Sequence, residues 1–173
     1  VDPSGRLGQI ALDAEVAGLP WIARLARGLA ECALAATEPT AWRLTNCVAL
    51  VEECEEAGDD WGAALLTLAA AIAGVVAGAG LESGAPDGSG TGFGNGFGTE
   101  GGTDSGTEAA EQDGFAAGFA DAAARFRRLD AAVPALWAEA LQACTLAGRH
   151  LPGAADLAGR VAAAARGVQA PGP

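Results

Sequence analysis

The sequence predicts an all-α protein of stacked helical hairpins, with about six to seven helices, and three observations lead there. Half of the chain is hydrophobic, but that half is mostly Ala, Leu and Val, with no Tyr, no Met and only 5% aromatic residues. Alanine is the strongest helix former, whereas sheets favour β-branched and aromatic residues. Apolar residues also recur at helical spacing between Gly and Pro punctuation, and similar helix starts return at near-constant intervals. At 173 residues the chain fits one domain spanning 1–173.

The elements follow in order. Leu7, Ile10, Ala11 and Ala14 form an i, i+3, i+4, i+7 stripe that Gly18 stops. Pro20 takes a first-turn position, and a helix over about 21–36 carries Ile22, Leu25, Leu29 and Cys32 inward. Glu38-Pro39-Thr40 breaks that helix, with Thr40 available as the next cap. A helix over 42–57 follows, with Leu44, Cys47, Val48 and Val51 apolar and Glu52, Glu53, Glu55 and Glu56 toward water. Gly58 ends it, and Asp59 or Asp60 caps a helix reaching Ala77. Phe115, Phe119, Ala122 and Phe126 mark a further helix ending near Leu129. Pro134 opens the next, through Trp137, Leu141 and Cys144, and Pro152 opens the last, through Leu157 and Val161 to Arg166. Residues 167–173 form a Pro/Gly-rich tail.

Repetition organises these helices. Trp21, Trp61 and Trp137 open similar segments, Leu19-Pro20-Trp21-Ile22-Ala23-Arg24-Leu25 being the first. Trp21 and Trp61 are 40 residues apart, and Trp61 and Trp137 are 43 apart once an insertion over 81–113 is set aside. The helix pairs 41–77 and 114–148 are each near the roughly 34 residues of a tetratricopeptide unit. Such a unit buries its apolar face only by stacking on neighbours, so a right-handed α-α superhelix is expected, with these three tryptophans as inter-helix anchors. The outermost helices are expected to be partial repeats.

Residues 81–113 are different material. Ten of them are Gly, and they hold seven acids and no base. A segment of this kind buries too little apolar area to offset chain entropy, so a flexible acidic loop is expected, with Phe93 and Phe97 available to dock on a groove. Loop closure over such a length adds little cost. Net charge is −12 overall, and the rest of the chain carries 15 acids against 10 Arg. Neither part offers a clustered positive face for phosphate, so direct nucleic-acid contact is not expected.

The residues for chemistry are sparse. Lysine is absent, which excludes a Walker A loop, and Gly92, Gly94 and Gly96 lack the strand and helix of a dinucleotide site. His150 is the only histidine, placed at a helix–helix turn, which argues against a triad or a histidine metal site. Cys32, Cys47, Cys54 and Cys144 contain no Cys-x-x-Cys pair and read as buried small hydrophobes of a reducing, cytoplasmic protein; a Cys47–Cys54 metal or redox pair is the sharper alternative. No catalytic site, cofactor or metal is expected, and the apolar run 63–79 reads as a core helix rather than a membrane span. The start Val1-Asp2-Pro3 reads as that of an excised fragment or processed chain without a signal peptide. The remaining candidates for binding are Trp42, Arg43 and Asn46 on a first-in-pair helix, with Arg125 and Arg128 on the corresponding later helix. Arg125, Arg127 and Arg128 equally complement a helix C-terminus, and are the candidate anion or acidic-peptide contact.

The runs Ala17-Gly18-Leu19-Pro20-Trp21-Ile22-Ala23-Arg24-Leu25-Ala26-Arg27-Gly28-Leu29, Glu56-Ala57-Gly58-Asp59-Asp60-Trp61-Gly62-Ala63-Ala64-Leu65 and Ala122-Ala123-Ala124-Arg125-Phe126-Arg127-Arg128-Leu129 resemble the C-terminal helical-repeat region of large actinobacterial signalling ATPases, the LuxR-type and SARP (AfsR-like) transcriptional regulators. The exclusive use of Arg over Lys agrees with a GC-rich source. The resemblance implies a sensor or scaffold that binds a protein partner, other domains of its own chain or a small effector. ATPase and DNA-binding parts then lie elsewhere. A structural module that spaces domains or self-associates, and a helical enzyme using Cys54 or His150, are the alternatives.

Overall fold

The computed structural model describes residues 2–82 and 106–169, and every regular element among them is helical. The helices are α1 (Pro3–Val16), α2 (Pro20–Thr37), α3 (Leu44–Glu56), α4 (Asp60–Glu82), α5 (Gly106–Arg128), α6 (Ala132–Gly148) and α7 (Ala154–Gln169). They pack in a hairpin-like arrangement: α1 on α2, α3 on α4, α5 on α6, with α7 on α6. The central helix is α4, which also packs against α2 and α5 and so joins the three hairpins.

Several expected boundaries move. Helix α4 continues to Glu82 and α5 begins at Gly106, so both enter the stretch read as a loop over 81–113; α7 likewise runs to Gln169 into the expected tail. Phe93, Phe97 and Pro171–Pro173 lie outside the described residues. Thr40 does not cap α3: that helix starts at Leu44 after Arg43, which contributes no side-chain cap. Helix α6 begins at Ala132, two residues before Pro134, and Pro152 sits in the turn preceding α7. Asp59 does cap α4, its Oδ1 accepting from the Gly62 N–H at 2.8 Å.

Four joints close in the same way. After α1, the Gly18 N–H donates to Glu15 O and the Leu19 N–H to Ala14 O. The same pair of bonds recurs after α3 (Gly58 to Glu55, Asp59 to Cys54), after α5 (Asp130 to Arg127, Ala131 to Phe126) and after α6 (His150 to Ala147, Leu151 to Leu146). These are the two bonds of a Schellman turn, which requires a left-handed residue just past the helix. Gly18, Gly58, Asp130 and His150 supply it, with φ of 71°, 68°, 54° and 56°.

This turn gives the repeat a sharper register than tryptophan does. Three residues beyond the left-handed position stand Trp21, Trp61 and Val133, so the counterpart in α6 is Val133, and Trp137 lies one turn further on. Nor are the tryptophans buried anchors. Trp21, Trp61 and Trp137 are 55%, 48% and 67% exposed. Among the described residues, Trp61 makes an aromatic contact, edge-on to Phe126 with ring centroids 5.7 Å apart.

Alanine does the close packing instead. Sixteen of the 24 buried apolar residues described are Ala, and the large side chains that are fully buried are Phe119 and Phe126 on α5 and Cys54 on α3. Ala64, Leu68 and Ala71 of α4 meet Phe119, Ala122, Ala123 and Phe126 of α5 and Ala135 and Ala138 of α6 in one cluster. Leu50 and Cys54 of α3 meet Ala63 and Leu66 of α4 in a second. A Cβ on Gly28 of α2 would overlap Leu66, and one on Gly118 of α5 would lie 3.1 Å from the Ala71 Cβ. The helices therefore approach along lines rich in small residues, with Leu50, Leu66, Leu68 and the two Phe filling the space between them. The segment Asp60–Gly78 has a mean hydropathy of 1.9 and is long enough to cross a membrane, but here it is packed by α2, α3 and α5.

The turn chemistry makes a two-sided prediction. Gly58 has open space around it, so Gly58→Ala meets only the left-handed backbone penalty and should lower unfolding free energy by about 1 kcal/mol. His150→Gly relieves that strain and should raise it by up to about 1 kcal/mol. Chemical denaturation of both variants checks the pair, and a destabilising His150→Gly would count against the turn at the end of α6.

Candidate functional site

An open groove of about 670 Å³ lies where α3 and α5 both pack against α4. Leu44, Cys47, Val48 and Val51 form one wall, and Thr67, Ala70 and Ala71 of α4 form the floor. Gly118, Asp121 and Arg125 form the α5 wall, while Glu52 and Glu55 complete the α3 side. The cause is local. Gly118 and Ala71 bring α5 close to α4, and the small floor residues do not fill the space between the two walls.

Trp42 closes one end. It precedes α3 and packs beside Cys32 on the cluster of Ala35, Ala73 and Ala77, tying the start of α3 to α2 and α4. Its indole Nε1–H is buried, with the Cys47 thiol as its neighbour. Burial pushes the neighbouring Cys47 thiol up, and the Trp42 indole, which favours the thiolate, offsets part of that rise.

The opposite end is charged. Arg125 donates to Glu55 of α3 at 2.6 Å and, four residues back on its own helix, to Asp121 at 2.9 Å. The Glu55 bond is a side-chain tie across the mouth of the groove between α3 and α5. Burial lowers the Arg125 pKa and the bonds to Asp121 and Glu55 raise it, the balance lying above the ordinary value. Glu52 makes no ion pair among the described residues.

The five binding candidates divide accordingly. Trp42 and Arg125 come together on the groove, at its two ends. Arg43 and Asn46 serve the α2–α3 connection: Arg43 Nη1 donates to Thr40 O and Trp42 O, and Asn46 Nδ2 donates to Glu31 Oε1 at 3.1 Å. Arg128 is exposed away from the groove lining. As for the anion-contact reading, Arg125 is held by two carboxylates and Arg127 pairs with Glu139 of α6. Sequence reasoning passed over Asp121, Thr67, Ala70 and Ala71. Of the α3 residues read as its apolar stripe, Leu44 and Val48 are each 46% exposed because they border the groove, while Cys47, Leu50 and Cys54 take the buried positions.

Other ion pairs brace the first half of the molecule. Arg24 of α2 reaches Asp59, the α4 cap, at 3.2 Å, and Arg27 reaches Glu53 of α3 at 3.2 Å. A second, smaller hollow of about 400 Å³ lies between α4 and α6, bordered by Val75, Val76, Leu141 and Cys144.

The cysteines are not uniformly buried. Cys47 and Cys54 are, Cys32 is half-buried and Cys144 is exposed, because the Ala143 side of α6 faces the core. Burial, followed by the charges of Cys47 and Glu31, pushes the Cys32 thiol up to about 11. Among the described residues no group of three or more His, Cys, Asp or Glu is placed to hold a metal ion. No family model matches the chain, and no curated protein or solved structure matches it either.

Two outcomes follow. Arg125→Gln should lower unfolding free energy by about 1 kcal/mol, and high salt should shrink the difference, since both partner carboxylates are about half exposed. Alkylation of the native protein at neutral pH should reach Cys144 first, so Cys144→Ser should abolish the fast phase followed by mass spectrometry. Fast loss of Cys54 instead would contradict its burial.

Proposed function

We propose that this chain is a non-catalytic binding module that receives a protein partner or small effector in the groove between α3, α4 and α5. It belongs, on this reading, to a larger cytoplasmic transcriptional regulator of the LuxR or SARP type and conveys occupancy to ATPase and DNA-binding parts elsewhere in that protein. The observation that carries the proposal is the groove itself. Its volume is about 670 Å³, its lining is largely apolar, and its charged residues are Glu52 and Glu55 on α3 and Asp121 and Arg125 on α5. Ligand sites are commonly clefts of about 300–1,000 Å³ with that kind of lining. Stacked hairpins supply such concavities because each pair diverges slightly from the next. The resemblance of the Trp21, Trp61 and Arg125 segments to regulator repeats supplies the setting.

A second reading, self-association or domain spacing, draws on the half-exposed Trp21, Trp61 and Trp137. Exposed aromatic residues are enriched at interfaces. Light scattering separates the two: a concentration-dependent dimer that ignores every ligand favours the second.

The test of the first reading is to fill the groove. Val48 borders it and is half exposed, so Val48→Trp adds bulk without displacing a core side chain. Compounds or proteins captured by the wild-type chain in thermal-shift and pull-down screens should lose at least tenfold in affinity for this variant, with helical circular dichroism retained. Undiminished binding by a folded Val48→Trp protein would reject the groove as the binding surface.

A further inference from the structure

We infer that the groove selects an amphipathic organic cation: a small molecule with an apolar body and an ammonium group at one end. The inference rests on the groove being the binding surface proposed above, and it adds the polarity of the ligand. Two features of the lining carry it, the separation of apolar from charged residues and the sign of the charge.

The separation is set by helix geometry. Leu44 and Glu55 lie eleven residues apart on α3, which at 1.5 Å per residue is about 16 Å along the groove. Trp42 and Leu44 mark the apolar end, and Val48, Val51 and the α4 alanines continue that surface inward. Glu52, Glu55, Asp121 and Arg125 mark the other. A ligand long enough to touch both ends has to be apolar over most of its length and polar at one terminus.

The sign follows from a charge count. Three carboxylates and one guanidinium line the charged end, leaving it at −2. The guanidinium is already bonded to two of the three carboxylates. An anion would have to displace Glu55 or Asp121 from Arg125 while meeting the remaining negative charge. A cation meets Glu52, which has no ion-pair partner among the described residues, together with the outer faces of Glu55 and Asp121. The protein's overall charge of −12 adds to the attraction at long range.

Three probes with one naphthyl body and an ammonium, hydroxyl or carboxylate terminus test this, titrated into the isotope-labelled 173-residue chain and followed by amide shifts on α3, α4 and α5. The ammonium probe should bind tightest and the carboxylate probe weakest. Glu52→Gln should weaken the ammonium probe about two- to fivefold, the range of one exposed ion pair, and leave the hydroxyl probe unchanged. Glu52→Lys, which keeps α3 polar at that position, should abolish the preference. High salt should narrow it. Groove binding with no preference, or with the carboxylate probe ahead, would overturn the cation inference while leaving the groove reading intact. No groove shifts with any of the three would overturn both.

Discussion

Everything in this molecule depends on how closely α4 is allowed to approach its neighbours. Glycine along the contact lines removes the side chain that would block them: Gly28 makes room for the Leu66 side chain, and Gly118 lets α5 come close to Ala71. Ordering an alanine costs no side-chain entropy, so each short contact keeps most of its dispersion and burial gain. The limit of this strategy is that small residues fill little volume. Where α3 and α5 splay over the alanines of α4, space is left over, and the groove is that remainder. Fold and candidate site therefore share one origin.

Much of the architecture was legible in the residues. Gly18 and Gly58 stop helices because only glycine takes a left-handed backbone without cost, and Asp59 announces the cap of α4. Asp130 and His150 were harder to read, since neither is glycine and the surrounding helical pattern alone decides that they occupy the same position. Tryptophan misled. Its spacing resembled that of packing anchors, but Ala, Leu and Phe take the buried positions of these interfaces, and the rings of Trp21, Trp61 and Trp137 stand about half outside.

The groove was only partly legible for a different reason. Trp42 and Arg125 stood out as residue types that bind, but nothing local indicated that the two hairpins carrying them would meet across a Gly-rich stretch and lie against one helix. Asp121 and Val48 carry no such flag, being an ordinary surface acid and an ordinary member of an apolar stripe. The stripe on α3 is wider than the surface it packs against, and its surplus, Leu44 and Val48, becomes a wall. A stripe shows which residues avoid water, and only tertiary placement shows which of them lack a neighbour.

The bond between Arg125 and Glu55 has a mechanical meaning beyond its modest strength. It ties two helices that belong to different hairpins and that both pack against α4. The bond thus adds a polar link, open to solvent ions, to a junction that otherwise rests on apolar packing along α4.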